Sequence, residues 1–157
     1  MYTAAVLTIS DSSFLGKRAD LSGPAVVRQL EAAGFQIIRT IKVPDERDQI
    51  QKQLIECSQQ AQLVVTVGGT GIAARDVTPE ATLAVVEKLI PGISEKMRME
   101  GAKKTPFAAL SRGVCGVREK SLLLNLPGSP TAAAESLEAV LHILPHALEL
   151  LSGNTEH

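Results

Sequence analysis

The chain has 157 residues, a length that fits one compact domain around one core. Hydrophobic residues make up 45% and charged residues 21%, with no Trp, which excludes a disordered chain. A formal charge of −1 excludes a global field for nucleic acid, and the two cysteines, Cys57 and Cys115, lack the spacing of a zinc knuckle and fit a reducing compartment.

From Met1 to Asp11 there is neither a basic leader nor an apolar stretch long enough for a membrane, so the expectation is a cytoplasmic protein. Ala4 to Ser10 is apolar and β-branched and reads as a buried strand, followed by a polar loop, Asp11 to Asp20. Val26, Val27, Leu30 and Ala33 recur at helical spacing, and Gly34 stops that helix before a second strand, Phe35 to Val43. Pro44-Asp45-Glu46 breaks the strand and places Asp45 at or near the N-cap of a helix carrying Ile50, Leu54 and Ile55. Leu63 to Val67 is a third strand, running into Gly68-Gly69-Thr70-Gly71.

Thr78-Pro79-Glu80 predicts a helix start with Thr78 as its cap, and the helix should carry Leu83, Val86 and Leu89 inward. Pro91-Gly92 marks a turn before a helix from Ile93 to about Lys103, and Thr105 to Gly113 has no clear pattern. Val114 to Val117 and Leu122 to Leu126 read as a hairpin turning at Glu119-Lys120, ended by Pro127 to Pro130. The tail carries Leu137, Leu141, Leu144, Leu148 and Leu151 as a helical stripe that Pro145 kinks or divides. Strands alternating with helices predict an α/β fold: a three-layer sandwich over residues 1–157, its mostly parallel sheet covered by helices on both faces.

Ligands of such sheets sit at the carboxyl ends of the strands, where Ser10-Asp11-Ser12-Ser13, Pro44-Asp45-Glu46 and the glycine cluster should meet. The cluster is either an ordinary tight turn or a cradle whose N–H groups reach phosphate oxygens; it is neither a Walker A loop nor a dinucleotide fingerprint. Asp45 and Asp76 are either helix-capping acids or two ligands for Mg²⁺ on substrate phosphates. Arg75 either steadies a phosphate or pairs with Asp76, and Lys103, Lys104, Ser111 and Arg112 either meet an anion or form a solvated face. His142 and His146 stand four apart, but the Glu of a zinc-protease helix is missing and Pro145 intervenes, while Cys115 reads as packing.

Val6 to Asp11, Val43 to Glu46, Gly68 to Gly71 followed by Arg75-Asp76-Val77-Thr78-Pro79-Glu80-Ala81-Thr82, Leu110-Ser111-Arg112 and Asn125 to Pro130 together resemble the MogA/MoaB family of molybdenum-cofactor assembly proteins. That resemblance implies a molybdopterin adenylyltransferase, which uses ATP and Mg²⁺ to place AMP on the terminal phosphate of molybdopterin. It implies Asp45 and Asp76 as catalytic, metal-binding acids, and Gly68, Gly69, Thr70, Gly71, Asn125, Gly128 and Ser129 at the nucleotide. Ser10, Asp11, Ser111 and Arg112 would face the pterin. It further implies a homotrimer or dimer of trimers, a molybdenum-insertion partner, and no nucleic acid or membrane. A phosphate nucleophile needs alignment and charge neutralisation but no general base, which fits a chain without a His or Cys constellation. A non-catalytic pterin-binding scaffold, or a nucleotide hydrolase of the kind found in competence-damage proteins, remains open at this point.

Overall fold

Hydrophobic periodicity of two along the strands and near four along the helices sorts the side chains of this chain into two cores. The structure, a computed structural model, describes residues 1–154. Its strands are β1 (Thr3–Ile9), β2 (Gln36–Val43), β3 (Leu63–Val67), β4 (Lys88–Leu89), β5 (Cys115–Arg118) and β6 (Ser121–Leu126). Its helices are α1 (Asp11–Phe14), α2 (Ser22–Ala32), α3 (Arg47–Ser58), α4 (Thr78–Leu83), α5 (Pro91–Ala102), α6 (Pro130–Val140) and α7 (Leu144–Leu151), with a 3-10 turn at Pro106–Leu110. The sheet order is β2-β1-β3-β6-β5-β4; the first four strands are parallel, and β5 and β4 add an antiparallel edge.

Alternate residues of the central strands point to opposite faces. Val6, Val65 and Leu124 meet α2, α5, α6 and α7 through Leu30, Met97, Leu137 and Leu148. Leu7, Val64 and Leu123 meet α3 and α4 through Ile50, Leu54 and Ala81. Burial on both faces makes β3 and β6 continuous apolar runs, whereas β2, at the sheet edge, alternates between exposed and partly buried residues before Val43. The predicted three-layer α/β architecture is therefore present. Among the described residues no helix is long and apolar enough to cross a membrane.

Three local expectations need correction. The loop after β1 contains α1, capped by Ser10, whose Oγ accepts the Ser13 N–H at 3.3 Å. Asp45 lies near the N-cap of α3 as expected, next to the N-cap residue Glu46, which makes no side-chain capping bond. Thr78 is the first residue of α4 and not its cap, because its hydroxyl donates to the Gly68 carbonyl at 2.9 Å. That helix also ends at Leu83, and Leu83 and Leu89 are 45% and 49% exposed. The competing pull is the open edge of β5: the N–H groups of Glu87 and Ile90 donate to Val117 and Cys115 carbonyls at 2.8 Å, turning the chain from helix into β4.

The hairpin turns where expected, with Glu119 at φ 52°, and Pro145 divides the C-terminal stripe into α6 and α7. His142 consequently falls between the two helices and His146 inside the second, so they share no helix face. Cys57 and Cys115 are buried and unbridged, and desolvation pushes the Cys115 thiol up to about 12, as expected of a packing residue.

Candidate functional site

Because β2, β1, β3 and β6 run parallel, the segments that follow them emerge on one edge of the sheet. The glycines explain how closely those segments approach. Gly68 and Gly69 have φ of 107° and 70°, in the left-handed region, and a Cβ there would strike the Ile9 carbonyl oxygen or the Thr78 hydroxyl, respectively. A Cβ on Gly69 would also sit 3.2 Å from Asp45 Oδ1, and one on Gly71 would sit 2.8 Å from Asp76 Oδ2. Both carboxylates are thus held against the glycine bend.

Asp45 is placed by a reciprocal brace with Asp11. The Asp11 N–H donates to Asp45 Oδ2 at 3.0 Å, and the Asp45 N–H donates to Asp11 Oδ1 at 2.9 Å, which joins the ends of β1 and β2. Burial pushes the Asp45 carboxyl above the ordinary aspartate range, and the negative charges of Asp11 and Asp76 push it the same way. Asp11 moves oppositely, held down by the Arg75 guanidinium and the Asp45 N–H. Arg75 donates to Asp11 at 2.6 and 3.2 Å and to Glu46 at 2.9 Å, so it pairs across the edge rather than with its neighbour Asp76.

Asp76 Oδ2 accepts the Ala73 N–H at 3.0 Å, which leaves one oxygen of Asp45 and one of Asp76 outside these backbone bonds. Among the described residues no cluster of three or more His, Cys, Asp or Glu is placed to hold a metal. Two carboxylates beside a bend open to phosphate could hold Mg²⁺, whose remaining ligands are then water and phosphate oxygens.

Two cavities flank this point. One, of about 360 Å³, is polar and is lined by Ser10, Asp45, Asp76, Gly69, Asp20 and Ser129. The other, of about 440 Å³, lies against α5 and the 3-10 turn and includes Thr70, Ser111, Phe107, Met97 and Arg98. Gly69, Asp76 and Gly128 belong to the walls of both. Asp45 and Asp76 therefore do face a shared cavity beside Gly69, while Asp76 also borders a second one.

The other sequence candidates divide. Ser10 and Ser129 line the polar cavity and cap helices: Ser129 Oγ accepts the Ala132 N–H at 3.2 Å. Ser111 lies in the other cavity, so the four residues grouped at the pterin are not brought together. Asp11 is engaged by Arg75 and Asp45. Arg112 turns inward, with Nε on the Gly71 carbonyl at 2.8 Å, Nη2 on the Asp76 carbonyl at 2.9 Å and Nη1 on the Glu80 carboxylate. Asn125 is 1% exposed, and its amide joins Thr66, Thr82 and the Val114 N–H at 2.9 to 3.1 Å, so its side chain ties the floor of the site together. Lys103 and Lys104 form surface pairs with Glu100 and Glu135.

Sequence reasoning passed over Arg18, Asp20 and Ser22, which line the polar cavity. Asp20 accepts Thr8 Oγ1 at 2.7 Å and the Gly23 N–H at 2.9 Å, and Ser22 Oγ donates to the Gly128 carbonyl at 2.6 Å. Asp-Leu-Ser-Gly-Pro before a helical stripe was the available signal for a structured turn.

Residues 5–146 match the family described as a probable molybdopterin binding domain. The chain is 46% identical to a molybdopterin adenylyltransferase of Helicobacter pylori, with 95% of this chain and 87% of the relative covered. It is also 46% identical to the molybdenum cofactor synthesis protein cinnamon of Drosophila melanogaster over 97% of this chain but 26% of that longer protein. The crystal structure of the molybdopterin biosynthesis enzyme MoaB from Thermus thermophilus superposes with a TM-score of 0.92 at 48% identity, covering 98% of both chains. With its glycine bend, its paired aspartates and a match across nearly its whole length, the chain belongs to the MoCF_biosynth family of probable molybdopterin-binding domains.

Proposed function

We propose that this protein is a molybdopterin adenylyltransferase of molybdenum-cofactor biosynthesis, acting in the cytoplasm as one domain with ATP as co-substrate. The observation that carries the reading is the ridge of Gly69, Asp76 and Gly128 between two cavities, with Asp45 beside it. Joining two phosphorylated substrates requires two binding spaces whose phosphate ends meet, and this ridge is the meeting place. The relatives named for the same activity support it.

In the reaction a terminal phosphate oxygen of molybdopterin attacks the α-phosphorus of ATP. The new P–O bond forms as the bond to pyrophosphate breaks, and pyrophosphate leaves with that electron pair. Backbone N–H groups of Gly69, Thr70 and Gly71 are the donors for the nucleotide phosphates, assisted by Gly128 and Ser129, while the Gly68 N–H holds the bend to β6 through the Leu126 carbonyl at 3.0 Å. Asn125 serves through the fold, by fixing Thr66, Thr82 and Val114 beneath the site. Ser10 and Ser111 offer hydroxyls to the substrates on the two sides of the ridge. Asp45 and Asp76 are the residues that would hold Mg²⁺, which supplies positive charge against the repulsion of two anions. Pre-set donors and fixed geometry lower the barrier without proton transfer.

The direct test is incubation with molybdopterin, ATP and Mg²⁺, with adenylylated pterin and pyrophosphate as the expected products. Absence of both, where a known adenylyltransferase makes them, overturns the reading. The same reading expects a homotrimer or dimer of trimers that hands its product to a molybdenum-insertion protein; light scattering that shows a monomer counts against that assembly.

A further inference from the structure

Arg112 is a half-exposed cation whose every bond points away from solvent and toward one short segment. Its own N–H donates to the Thr70 carbonyl at 2.8 Å, its Nε to the Gly71 carbonyl and its Nη2 to the Asp76 carbonyl, so one residue grips the glycine loop at its exit and again at the acid. Nη1 is anchored on Glu80, in the first turn of α4, and that contact holds the Glu80 carboxyl below its usual range. The segment carrying Arg112 is itself fixed, since Arg98 of α5 donates to the carbonyls of Ser111 and Gly113 at 3.3 and 3.1 Å. Ser111, Gly113 and Arg98 all line the cavity against α5, whereas Arg112 contacts the segment that carries Asp76.

We infer that Arg112 is a positioning residue: it sets the Asp76 carboxylate and the Gly69–Gly71 bend for a divalent cation and phosphate, and it connects that setting to the wall of the cavity beside α5. The inference deepens the proposed function and rests on it for the identity of the substrates. The physical reason is geometric. Three acceptors, the carbonyls of Gly71 and Asp76 and the Glu80 carboxylate, match the planar, forked donors of a guanidinium, and an ammonium cannot reach all three at once. Without the grip, Asp76 is held by the exposed stretch Ile72–Arg75: by two bonds to the Ala73 backbone and, one residue away, by the pairs of Arg75 with Asp11 and Glu46.

The test measures Mn²⁺ affinity by electron paramagnetic resonance in the presence of a non-hydrolysable ATP analogue, for the full chain and for Arg112→Lys, Arg112→Ala and Glu80→Gln. Supporting groups of this kind typically change metal affinity 10- to 100-fold, so Arg112→Lys and Arg112→Ala should each bind Mn²⁺ at least about tenfold more weakly, and Glu80→Gln should weaken binding less. In turnover, Arg112→Lys should lower kcat more than it raises the KM for the pterin. Free guanidinium should restore Mn²⁺ affinity to Arg112→Ala and should not do so for Asp76→Ala, a split that a purely structural role does not produce. Folded variants with wild-type Mn²⁺ affinity overturn the inference, as do variants whose loss matches their unfolded fraction. A wild-type protein that binds Mn²⁺ yet makes no adenylylated pterin ends the proposed function, while the Mn²⁺ affinities of the variants still decide the role of Arg112.

Discussion

The two cavities are built by different means. The polar one is made where parallel strands end: Ser10 follows β1, Asp45 follows β2 and Ser129 follows β6, so each wall is a short loop leaving a parallel strand. The one against α5 is made on the antiparallel side, where β5 runs the other way and its preceding segment, Ser111 to Val114, arrives at the same edge from the opposite direction. Strand direction thus lets one sheet edge carry two cavities with separate walls and a common ridge. Residues of the ridge should affect both cavities, and residues of one wall should affect one.

The largest expected effect is at the ridge. Asp76→Ala should lower turnover by on the order of 10²-fold or more, with binding altered for both substrates, in steady-state kinetics with each substrate varied in turn. An effect confined to one KM would break the comparison. Gly69→Ala should come next: positive φ and the clash with Thr78 cost about 1–3 kcal/mol of strain, so both thermal stability and activity fall. A variant as stable and active as the parent would show that the bend relaxes freely.

Asn125→Ala separates folding from contact. It leaves Thr66, Thr82 and the Val114 N–H without their partner, so urea unfolding should show a loss of about 1–3 kcal/mol. The KM values of the folded protein should change little, and a large rise in either would return Asn125 to the ligand.

The smallest effect is electrostatic and belongs to the polar cavity alone. Arg75 lowers the proton affinity of Asp11 directly and that of Asp45 through its charge. A carboxylate depressed in the fold contributes stability that is present above its unfolded pKa and lost as pH falls through its folded one. Removing Arg75 raises both groups, so the acid limb of the turnover profile of Arg75→Ala should move to higher pH. Movement to lower pH, or none, contradicts this placement. The shift should be modest and reduced by salt, since Arg75 is exposed.

Strand by strand, the parallel half was readable because each element announces itself locally. Leu63–Val67 is continuous apolar sequence closed by glycine, and Pro44 and Pro127 punctuate the ends of β2 and β6. The antiparallel hairpin of β5 and β6 was readable too, but the outermost strand, β4, was not. Nothing local in Leu83 to Leu89 favours strand over helix; the choice was made by unpaired carbonyls of β5 that lie distant in the chain. For the same reason Asp20 and Arg112 could not be given partners from the sequence, and Arg75, offered its neighbour Asp76, instead pairs with Asp11 and Glu46.

What the sequence alone determined is the α/β order, the two faces of the sheet and the two acids flanking a glycine bend, because periodicity and backbone permissiveness act over a few residues. What tertiary structure decided is which carboxylate braces which backbone, that Arg112 grips the loop instead of lining either cavity beside the ridge, and that Ser10 and Ser111 stand on opposite sides of the ridge. The hydrogen bonds among them join residues 32 to 41 positions apart, and only packing the helices onto the sheet brings the partners within hydrogen-bonding distance.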